Sequence, residues 1–217
     1  MMKMNQQLDI STRDKILQLL KTKGELSAKE ITEFIGITSM AVRRHINTLE
    51  KEGLIESKTI RQPMGRPTAI YHLTDQAESF FPNKYHTLTL DLLGELELDA
   101  GSGMVDRLFE RRSESLQRNH AAKMQGKTFG EKVAILAEIQ NENGYMVELE
   151  QNGEDEYALM EYNCPISQIA KKYNHACTCE MKMFESLLGA EVVRTECLAQ
   201  GDKKCAYTLK NKKKTSQ

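Results

Sequence analysis

All five cysteines of this 217-residue chain lie in one stretch, and their side chains are the clearest candidates for chemistry. They are Cys164, Cys177, Cys179, Cys197 and Cys205. Four thiolates form the soft, anionic tetrahedral shell that iron-sulfur clusters and zinc take. The spacing is C-x12-C-x19-C-x7-C with Cys177 as the second ligand, or C-x14-C-x17-C-x7-C with Cys179. Neither has the C-x2-C pairs of zinc ribbons, so the fold must bring the ligands together, which favours a cluster held between elements.

The expected compartment bears on what these thiols do. No apolar run approaches the roughly eighteen residues of a membrane helix, and "MMKMNQQLDIS" lacks the apolar centre of a signal peptide. These features predict a cytoplasmic protein without a membrane partner. In a reducing compartment, clustered thiols are more often metal ligands or redox sensors than disulfides. Structural zinc, reactive thiols without metal, and cysteines that simply pack as small hydrophobic residues stay open as alternatives.

Charge is spread unevenly along a chain whose net charge is close to zero. From Ser11 to Leu73 there are eleven basic and seven acidic residues, a net of +4. From Gly144 to Lys210 there are seven basic and eleven acidic residues, a net of -4. A basic N-terminal part and an acidic C-terminal part favour a nucleic-acid surface on the first.

The N-terminal part begins with two short helical patterns. In "STRDKILQLLKTKG" apolar residues recur at helical spacing, with Ser11 or Thr12 as a candidate N-cap. In "LSAKEITEFIG", Ser27 and Glu30 fit a capping box, and Phe34 is expected on the apolar face. The glycine that ends this segment predicts a turn into a third helix.

The third helix is the candidate DNA-recognition helix. In "ITSMAVRRHINTLEKEGLI" a stripe of Val42, Ile46 and Leu49 is expected to pack on the first two helices. The residues left toward solvent, which we predict to contact DNA, are Ser39, Met40, Arg43, Arg44 and Asn47. Two short helices joined by a turn, the second presenting arginines and hydroxyls near its start, are typical of a major-groove reader.

A strand pattern follows the third helix. The segments "LIESKTIRQ" and "TAIYHLT" alternate in polarity, and "QPMGRP" between them predicts a turn. A hairpin in this position forms the wing of a winged helix. Arg61 and Arg66 at its tip are predicted to reach phosphates or a minor groove.

The middle of the chain predicts amphipathic helices. Leu88, Leu92 and Leu96 recur at intervals of four, and further stripes follow in "GMVDRLFERRSESLQRNHAAKMQG" and "FGEKVAILAEIQNENG". Each helix must bury one face. Because operators for such proteins are commonly two-fold, we assign a homodimer contact mainly to residues 76–123. The alternative is that these helices only connect the two ends within one chain.

The C-terminal part predicts a small α+β domain. Ala158, Met160 and Tyr162 alternate as in a strand, and "NGED" is a hairpin turn. Pro165 is expected to open a short helix, a second helix follows in "CEMKMFESLLG", and "AEVVRTECL" and "KKCAYTL" are predicted strands. The cysteines then occupy the ends of elements, from which side chains can converge.

Two segments resemble a known group of proteins. "LSAKEITEFIGITSMAVRRHINTLEKEGLI" followed by "RQPMGRPTAIYHLT" resembles the winged-helix domain of bacterial transcription regulators of the ArsR/DeoR-like type. The "GRP...Y.LT" wing is similar to that of a subgroup that includes the repressors of iron-sulfur cluster assembly operons. The cysteine segment is similar to the C-terminal sensor domain of that subgroup, in which cysteines hold an iron-sulfur cluster.

Carried over residue by residue, the resemblance implies a metal site formed by Cys164, Cys177, Cys197 and Cys205, and Glu180 fits the motif too. Cys179 is then an extra cysteine. A related domain that binds small aromatic or tetrapyrrole-like ligands carries a similar "GD..C.Y" ending, which keeps a ligand sensor as an alternative.

The predicted fold class is mostly α and α+β. The expected parts are a winged helix-turn-helix domain at 11–75, a helical linker and dimerisation region at 76–143, an α+β sensor domain at 144–210 and a solvated tail at 211–217. The predicted protein is a homodimeric bacterial transcription regulator that binds double-stranded DNA. A 4Fe-4S or 2Fe-2S cluster would report redox state, iron, oxygen or nitric oxide.

The sequence leaves one alternative function open and does not indicate an enzyme. A winged-helix regulator could instead respond to a small organic effector bound within residues 130–210. An enzyme is not predicted, because the sequence has no nucleophile with a nearby base, no phosphate loop and no carboxylate pair, and its five histidines are scattered.

Overall fold

The computed structural model of the protein describes residues 11–61 and 66–212 and separates the chain into two compact units, Met1–Asn83 and Lys84–Gln217. Each unit has its own hydrophobic core. Four residues of the predicted wing turn, "QPMG", and most of the predicted C-terminal tail lie outside the described residues. Among the helices described, none is both long and apolar enough to cross a membrane.

The first unit is a three-helix domain with a small antiparallel sheet. Its α helices in the described part are α1 (Thr12–Lys23), α2 (Ala28–Ile35) and α3 (Ser39–Lys51). Its strands are β1 (Leu26–Ser27), β2 (Ile55–Ile60) and β3 (Thr68–Leu73), paired in the order β1-β3-β2. A 3₁₀ helix, Asp75–Phe80, follows the sheet. This is the predicted winged helix-turn-helix arrangement, with the short strand β1 added.

The predicted helix caps are confirmed. Ser11 caps α1, since its hydroxyl accepts a hydrogen bond from the Asp14 amide at 3.2 Å. Ser27 and Glu30 form the capping box of α2, in which the Glu30 carboxylate accepts from the Ser27 amide at 2.8 Å. Gly36 ends α2 at φ 75°, a left-handed conformation that a residue with a Cβ rarely adopts. The turn into α3 is therefore encoded locally.

The core of the first unit is formed where the three helices meet the sheet. Val42, Ile46 and Leu49 of α3 are buried in it, as predicted. The expectation for Phe34 was wrong, because its ring is 57% exposed and lies beneath the ammonium group of Lys23. Phe34 lies about 60° around α2 from Ile31, on the side away from Ala28 and Ile35, which contact the core.

The second unit combines five α helices, within the described residues, with a four-stranded antiparallel sheet. The helices are α4 (Tyr85–Ala100), α5 (Ser102–Met124), α6 (Phe129–Glu142), α7 (Ser167–Lys172) and α8 (His175–Leu188). The strands are β4 (Val147–Gln151), β5 (Glu156–Glu161), β6 (Ala190–Glu196) and β7 (Cys205–Asn211), in the order β4-β5-β7-β6. The two predicted hairpins thus join in one sheet.

The hydrophobic core of the second unit runs across the boundary predicted at residue 143. Met124 and Leu136, from α5 and α6, belong to the same buried cluster as Phe184 of α8 and Tyr207 of β7. The rings of Phe184 and Tyr207 meet edge to face with centroids 5.3 Å apart. Helices α5 and α6 are therefore part of the domain that contains the cysteines, rather than a linker that precedes it.

Two local expectations in this unit need correction. On β5 the core-facing residues are Leu159 and Glu161, both 0% exposed, whereas Tyr162 follows the strand and is 46% exposed. Ala158, Met160 and Tyr162 alternate as predicted, on the side opposite to Leu159 and Glu161, and Met160 on that side is buried as well. The helix predicted from residue 179 begins at His175, so Cys177 lies in its first turn.

The burial of Leu49 gives a test of the first unit's fold. Leu49→Ala leaves a cavity at a 0% exposed site, and we expect a loss of about 2–5 kcal/mol in unfolding free energy. Amide hydrogen exchange of α1–α3 in the full chain measures this loss. The exposed neighbour provides the control, since Thr48→Ala should change stability by less than about 0.5 kcal/mol. Equal exchange rates in the two variants would contradict the fold.

Candidate DNA-binding surface and cysteine site

Helix α3 presents one apolar and one polar side. All five α3 residues predicted to contact DNA are exposed, and Met40 is 83% exposed. The Thr38 hydroxyl caps the helix by accepting from the Ala41 amide at 3.3 Å. No acidic residue lies in the first turn, so the positive end of the helix dipole is not offset by a carboxylate there. This surface is suited to phosphates and base edges.

Strand β2 positions the wing against the end of α3. The Ser57 hydroxyl donates to the Glu50 carboxylate at 2.8 Å, which ties the hairpin to the helix. The β2–β3 register runs from Ile55 opposite Leu73 to Ile60 opposite Thr68. Arg61 and Arg66 are both exposed and lie on either side of the four residues that are not described. The two arginines predicted for the wing therefore lie in the connection between β2 and β3.

The second unit brings together the sulfur atoms of four cysteines from four places in the chain, which we call the cysteine site: Cys164, Cys177, Cys197 and Cys205. Cys164 follows β5, Cys177 lies in the first turn of α8, Cys197 follows β6 and Cys205 begins β7. Cys164, Cys177 and Cys205 all lie within electrostatic range of Cys197. Cys164 is half-buried, and the other three are buried.

The loop from residue 197 to residue 205 holds two of these cysteines in place. The Asp202 carboxylate accepts from the Cys197 amide at 2.7 Å, and the Cys205 Sγ accepts from the Leu198 amide at 3.4 Å. Gly201, at φ 102°, allows the chain to turn back toward β7. These contacts explain the "GD..C.Y" pattern. Gly201 and Asp202 shape the loop, and Cys205 and Tyr207 face the core.

Burial favours the protonated thiols of Cys164, Cys177 and Cys205. It raises the pKa of Cys164 to about 11 and the pKa values of Cys177 and Cys205 to about 12. In the described residues, no three His, Cys, Asp or Glu side chains are arranged to hold a metal ion. The four sulfur atoms are thus neighbours without being in ligand geometry, and binding of a metal must release protons and reorient side chains.

Cys179 faces a different part of the unit. It lies on α8 two residues after Cys177, about 200° around the helix, and lines a cavity with Phe109, Leu116 and Met183. The Ser113 hydroxyl of α5 donates to the Cys179 carbonyl oxygen at 2.9 Å. Burial and the charge of Glu110 raise the pKa of its thiol. Spacing alone does not show whether Cys177 or Cys179 belongs to the cysteine site. The two residues lie on different faces of α8, and Cys177 is on the face near Cys197.

Sequence analysis missed a set of buried polar groups beside the cysteine site. Glu161 is 0% exposed, and its Oε1 accepts from the Gln140 amide nitrogen at 2.9 Å while its Oε2 has no partner. Burial and the nearby charge of Glu180 raise the Glu161 pKa to about 8. The pKa of Tyr145 is raised by burial and by Glu180. Only the strand periodicity of β5 could have placed Glu161 on the core face.

Arg194 was missed as well. It lies on β6 opposite Tyr207 and near Cys177, Cys197 and Cys205. Its Nη1 atom is buried and has no hydrogen-bond partner. The signal was available in the alternation of "AEVVR", in which Ala190, Val192 and Arg194 share the core face.

A small cavity lies among α5, α6 and α8, on the Cys179 side of α8. Its volume is about 110 Å³. Apolar side chains such as Phe109 and Ile139 line it together with Gln140, Tyr145 and Glu180. An engineered apolar cavity of about 150 Å³ binds benzene, so this smaller cavity is of the size of a very small ligand.

Comparison with known proteins agrees with the fold of the first unit. The winged helix-turn-helix DNA-binding family matches residues 11–56. The HTH-type transcriptional regulator LrpA of Pyrococcus horikoshii is 31% identical over 101 residues, which are 44% of this chain and 72% of that protein.

Two solved structures are more distant. The adhesin competence repressor AdcR of Streptococcus pyogenes is 21% identical and covers 51% of this chain and 85% of its own, with a TM-score of 0.30. Subunit 3 of a trafficking protein particle complex from Naegleria fowleri, covalently bound to palmitic acid, is 10% identical and covers 61% and 95%, with a TM-score of 0.40. On the match to LrpA and the winged-helix family, this chain belongs to the helix-turn-helix transcriptional regulators.

Proposed function

We propose that the protein is a homodimeric transcription regulator whose second unit senses redox state, iron, oxygen or nitric oxide through an iron-sulfur cluster. The observation that carries the proposal is the convergence of four sulfur donors from four elements at one end of the sheet. A bound cluster would supply one-electron redox chemistry and sensitivity to oxygen. The four cysteines would hold it, and the buried surroundings would exclude water.

The donor chemistry supports a metal centre over thiols that only pack in the core. Four soft sulfur ligands without a histidine or an exposed carboxylate suit iron-sulfur clusters and zinc. Isolated buried cysteines need no partner, but four that share one site with a half-buried arginine and two acidic side chains form an unusually polar part of the domain.

Helix α4 supports the dimer. It has no buried residue. One side contacts its own unit, where the Tyr173 hydroxyl donates to the Glu97 carboxylate at 3.2 Å. The opposite side carries Leu88 and Leu92, which are 56% and 61% exposed. An exposed apolar stripe of this kind is normally buried against a partner. We assign this contact to a second copy of the chain, which would also supply the second recognition helix.

DNA binding is tested with the exposed arginines of α3. Operators are first selected from a randomised duplex library, and affinities are then compared at one salt concentration. Arg43→Ala and Arg44→Ala should each weaken binding by about 1–3 kcal/mol, because each removes a contact to a base or phosphate. Lys15→Ala, at an exposed position of α1, is the control and should bind nearly as well as the parent. Equal affinities for all three variants would argue against α3 as the reader.

The dimer is tested with charges on α4. Leu92→Glu should give a folded monomer in sedimentation experiments, because a carboxylate in the apolar stripe opposes burial. Leu98→Glu is the matched control, since Leu98 is 82% exposed and lies about a quarter turn from the stripe. It should remain a dimer. A Leu92→Glu protein that stays dimeric would place the interface elsewhere.

The cluster is tested by anaerobic reconstitution with ferrous iron and sulfide. We expect a brown protein with visible absorbance that is lost in air. Serine in place of any member of the cysteine site should abolish or strongly reduce the colour, whereas Cys179→Ser should retain it because Cys179 faces α5. Colourless protein with stoichiometric zinc would overturn the proposal.

Sensing requires a further comparison. Loaded and cluster-free protein should differ in operator affinity at the same salt concentration, since a sensor must couple its two sites. Equal affinities would leave the site structural and contradict sensing.

A further inference from the structure

Met40 is an apolar side chain in the middle of the exposed side of α3. It is the second residue of the helix and is 83% exposed. At about 100° per residue, it lies about 180° around the helix from Leu49, which is buried in the core. Arg43 and Arg44, both exposed, lie within about 60° of Met40 and one turn further along. Met40 therefore projects from the same surface as the two arginines, away from the domain.

The fold of the first unit does not account for a methionine at this position. The start of α3 is fixed by Ile37 before the N-cap and by Val42 in the second turn, which both belong to the core of this unit. Single exposed apolar side chains are common on protein surfaces and need no partner. This one, however, lies at the centre of the surface that α3 presents to DNA.

The surroundings of Met40 favour the major groove as its environment. The first turn of α3 has no acidic residue, and the two arginines follow at once, so the start of the helix attracts phosphates. A recognition helix places its N-terminal residues against base edges in that groove. These edges carry hydrogen-bond donors and acceptors and one apolar group, the C5 methyl of thymine. A flexible, polarisable methionine packs well against such a group.

We propose that Met40 is a specificity-determining residue that packs on the C5 methyl group of a thymine in the operator. This inference rests on DNA binding through α3, which is part of the proposed function, and adds the identity of one base that the helix recognises. Thymine is preferred at that position because the other three bases offer no apolar group in the major groove.

The test removes the methyl group and the methionine separately and together. Operators are selected with the full-length parent from a randomised duplex library, and each thymine is then replaced in turn by deoxyuridine, which lacks the C5 methyl but keeps the base pair. Affinities are measured at one salt concentration for the parent, Met40→Ala and Met40→Gln. The glutamine keeps the length of the side chain but has a polar end. Phe34→Ala is the matched control, because it removes an exposed apolar side chain from α2.

For the parent, we expect deoxyuridine at one thymine position to weaken binding about fourfold, which is about 0.8 kcal/mol. Met40→Ala and Met40→Gln should bind the unmodified operator at least as weakly as the parent binds that modified one. In both variants the same deoxyuridine should cause little further loss, because the contact is already absent. Phe34→Ala should show the same fourfold loss as the parent.

The outcomes separate this inference from DNA binding itself. If the parent selects no operator, DNA binding through α3 fails, and the inference fails with it. If an operator is selected but the parent and Met40→Ala lose the same affinity at every deoxyuridine position, only the role of Met40 is overturned. An operator in which no thymine methyl affects binding of the parent overturns it as well. Loss of the methyl effect at one position in both Met40 variants, with circular dichroism spectra unchanged, supports the contact.

Discussion

The packing of α8 across the inner face of the four-stranded sheet is the contact on which the second unit depends. Phe184 and Leu187 of this helix enter the same core as Val192 and Tyr207 of the sheet. The first turn of the helix is thereby fixed over the end of the sheet where β5, β6 and β7 begin or end. Cys177 is carried to the other three cysteines by packing of apolar residues, before any ligand is involved.

That packing also buries groups that a hydrophobic core ordinarily excludes. Glu161 and Cys205 are directly paired across β5 and β7, and Arg194 is paired with Tyr207 across β6 and β7. Their burial raises the pKa of the carboxyl group and of the thiol, so neutral forms are favoured while the guanidinium stays charged. The end of the sheet is therefore a cluster of polar groups inside an apolar domain. Such departures from an apolar core are common at functional sites.

Much of the first unit could be predicted from the sequence because its signals are local. Ser11, Ser27 and Gly36 act within one helical turn, and the α3 stripe follows a single period. Phe34 shows the limit of this reasoning, since helical spacing places it next to Ile31 but does not show how wide a face of α2 the core covers. The two-residue strand β1 escaped prediction because its pairing with β3 involves residues more than forty positions away.

The sequence by itself determined which residue types are available: clustered thiols, an arginine-bearing helix followed by a wing, and a leucine stripe on α4. Only the tertiary structure decided which thiols meet, because Cys177 and Cys179 are equivalent in spacing and differ only in the face of α8 that packs on the sheet. It likewise decided that α5 and α6 share the core of the cysteine domain, and that Glu161 and Arg194 join the site. Strand register and helix packing depend on contacts between distant segments, and local patterns carry no information about which distant segments meet.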